Sequence, residues 1–160
     1  MKNERAAATD LTPRGGLDEG GIHDVLGYQL AHATLLTTSV FTQAVGKPFD
    51  LRPVEFTILQ LLLKNETVTS TKLAQALLMT TPGVTGWIDR LEARELVRRE
   101  RSDTDRRAQH LQATDAGKAL ATQALAAVLQ AEQEVLRSFS EGERRILLEL
   151  LQRLARLRKR

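Results

Sequence analysis

A single predicted β-hairpin in a chain of helical periodicity is the feature that most constrains the fold. The runs LVRRER (residues 96–101) and AQHLQA (residues 108–113) are short and extended in character, and residues 102–107 join them. Two such runs separated by a short loop predict a hairpin. Apolar residues recur every three or four positions on both sides of this hairpin, which is the periodicity of helices.

The first three helices precede the most informative part of the chain. A long helix is predicted over residues 22–45, and it ends at a break in GKPFDLRP (residues 46–53). A second helix begins near Pro53. A third, short helix follows with Thr69 or Ser70 as its N-cap, because a side-chain oxygen there can accept from unpaired amides of the first turn.

The fourth helix lies directly before the hairpin. Thr81 is its expected N-cap, and Pro82 is expected at the first helical position, where proline loses no needed donor. Val84, Ile88 and Leu91 are spaced four and three residues apart and therefore predict the side that faces the core.

Two more helices follow the hairpin. An alanine-rich helix is expected after Thr114, and the break SFSEGE (residues 138–143) separates it from the last helix. Ser140 and Glu143 have the spacing of a capping box at the start of that helix. The central order of three helices and a hairpin is the order of elements in a winged helix-turn-helix.

The predicted fold is therefore mainly α with a small β-hairpin wing, a winged helix-turn-helix core with further helices at its N- and C-terminal ends. Residues 1–21 are polar and aperiodic and predict a flexible tail. Residues 22–46 are predicted to contain the first helix, residues 47–113 the winged helix-turn-helix, and residues 114–160 the two C-terminal helices.

Composition excludes several classes of function. The 160 residues contain no cysteine, which excludes disulfides, thiol catalysis and cysteine–zinc sites. Neither a signal peptide nor a membrane-spanning run is evident, so a cytoplasmic protein that does not enter a membrane is expected. We find no phosphate-binding glycine loop, no nucleophile elbow and no histidine–carboxylate cluster, so catalytic residues and an enzymatic function are not predicted.

The exposed side of the fourth helix has the character of a DNA-reading surface. A helix that enters the major groove must present its first turns to the bases while its back packs on a core. Glycines there cost about 1 kcal/mol each relative to alanine, yet they allow close approach of the backbone to the duplex. The predicted DNA-binding residues of this helix are Thr81, Pro82, Gly83, Thr85, Gly86 and Arg90.

Five arginines crowd around the predicted loop of the hairpin: Arg98, Arg99, Arg101, Arg106 and Arg107. A tip arginine, Arg106 or Arg107, can reach into a minor groove, where the potential is most negative. Asp103 and Asp105 would fix the direction of neighbouring guanidinium groups through charge-assisted hydrogen bonds. The alternative is a solvated loop of mixed charge, and the helix directly before the loop favours the DNA-binding interpretation.

The stretch LAQALLMTTPGVTGWIDRLEARELVRRERSDTDRRAQHLQATDAG resembles the DNA-binding core of the MarR family of transcriptional regulators. The similar features include the VT..IDRLE helix, LVRR, the D-R-R wing tip and the T-D-A-G entry into a long helix. On this resemblance Asp105 and Arg107 occupy the D-x-R positions of the wing, with Arg106 between them, and Arg101 lies in the first wing strand. Gly86 and Glu95 depart from the family pattern, which commonly has a polar or basic residue at the first position and glycine at the second.

The resemblance implies a homodimer with N- and C-terminal dimerisation helices, in residues 22–46 and 114–160. It also implies that residues 47–113 are the DNA-binding domain, so that each subunit contributes one winged helix to a pseudo-palindromic operator on double-stranded DNA. It also implies a repressor that releases DNA when a small aromatic or phenolic acid binds. A dimer is also indicated by the sequence of the last helix, where leucines at spacings of three and four form a heptad-like seam. These leucines are Leu147, Leu150, Leu154 and Leu157.

Aromatic side chains supply the candidates for the effector pocket. Tyr28 and His32 lie one turn apart on the first helix, and Phe49, Phe56 and Trp87 are further candidates. A hydroxyl or imidazole would hydrogen-bond an acidic ligand while a ring stacks on it. His23 and His110 are expected at the surface, and the three histidines have no metal-ligand spacing, so no metal and no cofactor are predicted.

Two alternatives remain open on the sequence. One is a winged helix used only as a protein-interaction module, which would not be retained on heparin at moderate salt. The other is a DNA-binding regulator that responds to no small molecule. The operator, the regulated genes and the direction of regulation are not encoded in any motif of the chain.

Overall fold

The computed structural model describes residues 11–101 and 109–157, and the chain divides into two units between Ser39 and Val40. A 3-10 turn (Gly20–Asp24) precedes α1 (Leu26–Phe41), which runs on through a π-helical turn (Thr42–Gly46) into α2 (Lys47–Phe49). The second unit continues with α3 (Pro53–Lys64), α4 (Ser70–Leu77), α5 (Thr81–Ala93), β1 (Val97–Arg101), β2 (Gln109–Ala113), α6 (Asp115–Val135) and α7 (Glu141–Arg156). The predicted mainly helical fold with one small hairpin is confirmed.

The first unit has more local structure than the sequence predicted. We expected a flexible tail over residues 1–21, but from Leu11 onward the chain forms an isolated bridge between Leu11 and Asp18. Glu19 is 7% exposed and accepts a hydrogen bond of 2.8 Å from the Tyr28 hydroxyl. Local structure is therefore present from residue 11, and the sequence pattern did not reveal the hydrogen bond between these two side chains.

Helical structure also extends further than predicted. The break expected over residues 46–53 begins only after Phe49, where Asp50 adopts a left-handed conformation with φ of 49°. A short extended connection through Leu51 and Arg52 then leads into α3. The proline in GKPF is the second residue of α2, and the helical backbone continues through it to Phe49.

The core of the second unit lies where α3, α4, α5, β2 and α6 meet. The Leu111 amide donates to the Val68 carbonyl at 2.8 Å, so a short extended segment before α4 pairs with β2. Aliphatic side chains fill the core, as the low aromatic content requires. Its largest fully buried members are Ile58, Leu59, Leu73, Ile88, Leu91, Leu111, Val45, Val84 and Val97.

Hydroxyl side chains cap four of the helices. Thr69, Thr80, Thr114 and Ser140 each accept a hydrogen bond from the amide three residues later. Thr69 and the Ser140 capping box were predicted. The prediction of Thr81 as the cap of α5 was wrong by one residue, since Thr80 is the cap and Pro82 occupies the second helical position.

The hairpin is antiparallel, with Val97 opposite Ala113 and Arg99 opposite Leu111. Val97, Leu111 and Ala113 point into the core, whereas Arg98 is exposed. The hairpin loop, residues 102–108, lies outside the described residues.

The last helix presents an apolar face that the rest of the described chain does not cover. In α7, Leu147, Leu150 and Leu157 are 39%, 52% and 75% exposed, and Leu154 is half-buried. Burial of one leucine is worth about 1.5–3 kcal/mol, so such a face favours contact with another molecule. Among the helices that the structure describes, none has the length and apolar character needed to cross a membrane.

Candidate nucleic-acid interface

Helix α5 separates a buried side from an open one. Val84, Ile88 and Leu91 are fully buried, as the sequence predicted. On the opposite side, Thr81, Pro82, Gly83 and Gly86 are exposed. A Cβ atom added at Gly86 would meet no atom within 4 Å, so the helix surface is open at this position.

The polar groups of the first turn are partly used by the helix itself. The Thr80 hydroxyl caps the amide of Gly83 at 3.3 Å. The Thr85 hydroxyl donates to the Thr81 carbonyl at 2.9 Å, and Thr85 is half-buried. Of the two predicted threonine contacts, Thr81 is therefore the more accessible, while Thr85 retains only its acceptor lone pairs for a ligand.

One flank of α5 is joined to the wing by ion pairs. Arg99 on β1 pairs with Asp89 at 2.5 Å and also with Glu92, so one guanidinium bridges two acids about one helical turn apart. The hydrogen bond to Asp89 and the neighbouring carboxylates raise the pKa of Arg99. This arginine was counted among the basic residues around the loop, but its position makes it a link between the helix and the wing.

The other flank carries an arginine held by a buried acid. The Nε of Arg90 donates to Glu55 Oε1 at 3.1 Å, and Glu55 is completely buried. The guanidinium carbons of Arg90 and Arg52 each lie 5.6 Å from the centre of the Trp87 ring. Sequence reasoning missed Glu55 and Arg52, although an acid in the otherwise apolar segment VEFTILQLLL is a usable signal.

Asp105, Arg106 and Arg107 lie outside the described residues, and for Arg101 only the backbone, at the end of β1, is described. The strand before them is anchored as stated above, so the position at which the wing leaves the core is defined.

The candidate effector residues fall in both units. In the first, the rings of Tyr28 and His32 are 4.4 Å apart, and both residues are half-buried. In the second, Phe56 contacts Phe41 edge-on with ring centres 5.5 Å apart, Phe49 packs against the core, and Trp87 lies in the arginine cluster. No ring contact among Phe49, Phe56 and Trp87 is found in the part of the chain that the structure describes.

Two open clefts of about 280 and 500 Å³ lie near the end of α3, and none of the five candidate effector residues lines them. The described residues contain no group of three or more histidine, cysteine or acidic side chains placed to hold a metal ion. The expectation that His110 lies at the surface was wrong, since it is half-buried and its buried Nδ1 has no hydrogen-bond partner among the residues that the structure describes.

Helix α5, its open face and the hairpin anchored beside it define a winged-helix transcriptional regulator, and comparisons with known proteins agree. The MarR family model matches residues 51–108. The HTH-type transcriptional regulator PecS of Dickeya dadantii is 30% identical over 128 residues, covering 78% of this chain and 76% of PecS. A putative transcriptional regulatory protein for the hcr operon of Thauera aromatica is 26% identical over 140 residues, 88% of this chain and 84% of that protein.

A solved structure shows the same fold on DNA. The transcriptional repressor CouR, bound to a 23-mer DNA duplex, superposes with a TM-score of 0.81 at 33% identity, covering 87% of this chain and 98% of CouR. The chain belongs to the MarR family of transcriptional regulators. This family consists of DNA-binding regulators and not of enzymes.

Proposed function

We propose that the protein is a homodimeric repressor that binds a pseudo-palindromic operator and leaves it when a small aromatic acid binds. The observation that carries the DNA-binding part is the open face of α5, where Thr81, Pro82, Gly83 and Gly86 are exposed beside an anchored wing. A slim helix surface of this kind fits a major groove, which is about 12 Å wide. The similarity to a DNA-bound repressor at 33% identity supports the same assignment.

In this proposal the remaining predicted site residues keep their roles. Arg106 and Arg107 at the wing tip contact the minor groove, with Asp105 orienting them and Arg101 contributing from the first strand. Residues 47–113 act as the DNA-binding domain. Each phosphate that an arginine neutralises adds about one unit to the slope of affinity against salt.

The dimer is proposed to form through residues 22–46 and 114–160. The exposed leucines of α7 support this part, because a monomer in water would leave their apolar area uncovered. Leu150→Asp places a charge on this face and should convert the dimer to monomers in sedimentation equilibrium. Gln152→Asp is the matched control, since Gln152 is exposed on the opposite side of the same helix. An unchanged dimer in the Leu150→Asp variant would exclude α7 as the interface.

The effector is proposed to contact Tyr28 and His32, whose neighbouring rings, tilted by 57°, carry a hydroxyl and an imidazole. Phe49, Phe56 and Trp87 supply further aromatic surface in the proposal. A titration of DNA-bound protein with a panel of aromatic carboxylic acids tests it, with Tyr28→Phe as the variant that removes only the hydroxyl. If no member of the panel changes DNA affinity, the alternative of a regulator without a small-molecule effector is favoured.

The deciding experiment for DNA binding is a titration against a labelled fragment from upstream of the gene, with a scrambled fragment as control, at two salt concentrations. Selective binding with two footprinted half-sites about 10 base pairs apart is expected. Binding that is equal on both fragments and abolished by salt would contradict operator recognition and favour a protein-interaction module.

A further inference from the structure

We infer that Glu55 is a positioning residue, whose buried carboxylate aims Arg90 at a DNA phosphate, and that Arg52 completes a two-arginine phosphate clamp. This inference rests on the proposed DNA binding and adds to it a contact outside the wing and outside the open face of α5. The clamp consists of Arg52 at the start of α3, Trp87 and Arg90 on α5, and Glu55 beneath them.

The carboxylate of Glu55 is held from both sides. Its Oε2 accepts from the Arg52 amide at 2.8 Å, and its Oε1 accepts from Arg90 Nε at 3.1 Å. Glu55 has no exposed surface, whereas half of the Arg90 side chain is exposed. A buried carboxylate without a partner would be costly, so this acid constrains the arginine that neutralises it.

The pairing leaves the terminal nitrogens of Arg90 available. A guanidinium carries five N–H donors in a rigid fork, and Glu55 takes the one on Nε. No second hydrogen-bond acceptor for the Arg90 guanidinium is found among residues 11–101 and 109–157. The remaining donors have the planar geometry that binds a phosphate.

Trp87 lies near a second guanidinium, that of Arg52. The guanidinium carbons of Arg52 and Arg90 both lie 5.6 Å from its ring centre, a distance at which the ring attracts cations. Two positive groups on one indole repel each other, and the single charge of Glu55 compensates only one of them. The cluster therefore keeps an excess positive charge, which an anion such as a phosphate would neutralise.

The position of the cluster on the helix favours a phosphate over a base. A helix is about 10–12 Å across with its side chains, and the major groove is about 12 Å wide, so a docked helix has a phosphate backbone on each flank. Asp89 and Glu92 occupy the flank that β1 covers through Arg99. Trp87 and Arg90 occupy the opposite flank, and Gly86 on the adjoining open face carries no side chain to block the approach.

The variant Glu55→Gln distinguishes a role of Glu55 in positioning Arg90 from an effect of net charge on DNA binding. It removes one negative charge, so net charge alone would strengthen DNA binding. If Glu55 positions Arg90, affinity falls instead, by roughly tenfold for one charged hydrogen bond lost. Glu66→Gln is the matched control, because Glu66 is exposed in the loop after α3 and its substitution changes the net charge equally.

The test is a fluorescence anisotropy titration of the full chain on the upstream fragment and on the scrambled fragment, each over a range of salt concentrations. Thermal unfolding of every variant confirms that it is folded at the temperature used. Arg90→Gln and Arg52→Gln should each lower affinity equally on both fragments and reduce the salt slope by about one unit. The double variant Glu55→Gln/Arg90→Gln should bind like Arg90→Gln, since Glu55 acts through Arg90.

Three results would overturn the inference. The first is a folded Glu55→Gln protein that binds as tightly as Glu66→Gln, and the second is additivity of the two substitutions in the double variant. The third is an unchanged salt slope in Arg52→Gln and Arg90→Gln, which decides the matter even if Glu55→Gln does not fold.

The outcome is distinguishable from failure of the proposed function. If the wild-type protein binds the upstream and scrambled fragments equally, operator recognition is contradicted. The effects of the clamp variants on affinity and salt slope can still be measured on both fragments, because the clamp contacts phosphates. Absence of binding by the wild-type protein to either fragment would overturn both.

Discussion

Gly117 lies against the carbonyl of Leu96, so that a Cβ atom on Gly117 would come within 2.0 Å of the Leu96 oxygen. The first turn of α6 thus packs directly on the backbone that enters β1. The same carbonyl accepts from the Thr114 amide at 3.1 Å, and the Thr114 hydroxyl donates to the Glu95 carbonyl at 2.6 Å. Gly117 joins α6 to the base of the wing because it has no side chain.

Gly117→Ala should therefore destabilise the protein strongly. Overpacking of this kind lowers the free energy of unfolding by about 1–3 kcal/mol. The obstructing atom here belongs to the backbone, which cannot move aside as a side chain can, so we expect a loss of about 3 kcal/mol. Chemical denaturation measures it, with Gly142→Ala as control. A Cβ at Gly142 meets no atom within 4 Å, so the control should be neutral or slightly stabilising. Equal stability of the two variants would contradict the close approach.

Glu95 adopts a left-handed backbone conformation with φ of 57°, at the position where the resemblance to the MarR family expects glycine. A side chain in this conformation costs about 1–2 kcal/mol, and glycine avoids that cost. Glu95→Gly should raise the free energy of unfolding by about 1 kcal/mol in chemical denaturation. Glu95→Gln, which removes the charge but keeps Cβ, should not. If both variants are equally stabilised, charge and not backbone strain is the cause.

Gly86→Ala should have opposite effects on the stability of the fold and on its affinity for DNA. A methyl group there meets no protein atom, and alanine is favoured over glycine within a helix by about 1 kcal/mol. The melting temperature should rise while affinity for the operator falls, because the methyl group fills the space left for the duplex. Thermal unfolding and anisotropy titrations measure the two effects. A rise in stability with unchanged affinity would show that this position does not approach DNA.

Tyr28 provides a spectroscopic test of the first unit. Its hydrogen bond to Glu19 raises its pKa above the usual 10.0, so this contact stabilises the fold at lower pH and is lost as pH rises through the raised value. Tyr28 is the only tyrosine of the chain, so the ultraviolet absorbance of tyrosinate reports it alone. Glu19→Ala should move the midpoint down towards 10.0.

Asp24→Asn serves as control for this titration, since Asp24 is exposed and pairs with His23 instead. A midpoint in Glu19→Ala that equals the wild-type value would show that residues near the start of the described chain do not form the contact in solution.

Local features were predictable to the extent that neighbours in sequence determine them. The hydroxyls of Thr69 and Ser140 cap their helices because the amides they bind are only three residues away. At α5 the cap is Thr80 and not the predicted Thr81. The two adjacent threonines have the same side-chain chemistry, so the local sequence indicates a threonine cap without choosing between them.

The sequence by itself determined the order of the helices, the hairpin and the core side of α5, because apolar periodicity and caps act over one or two turns. Tertiary structure alone decided that Arg90 pairs with Glu55, thirty-five residues away, and that Arg99 joins the wing to α5. It also decided that Gly117 touches Leu96. These contacts depend on where distant segments meet, and a hydrogen bond or a steric contact extends only a few ångströms, so no local pattern encodes them.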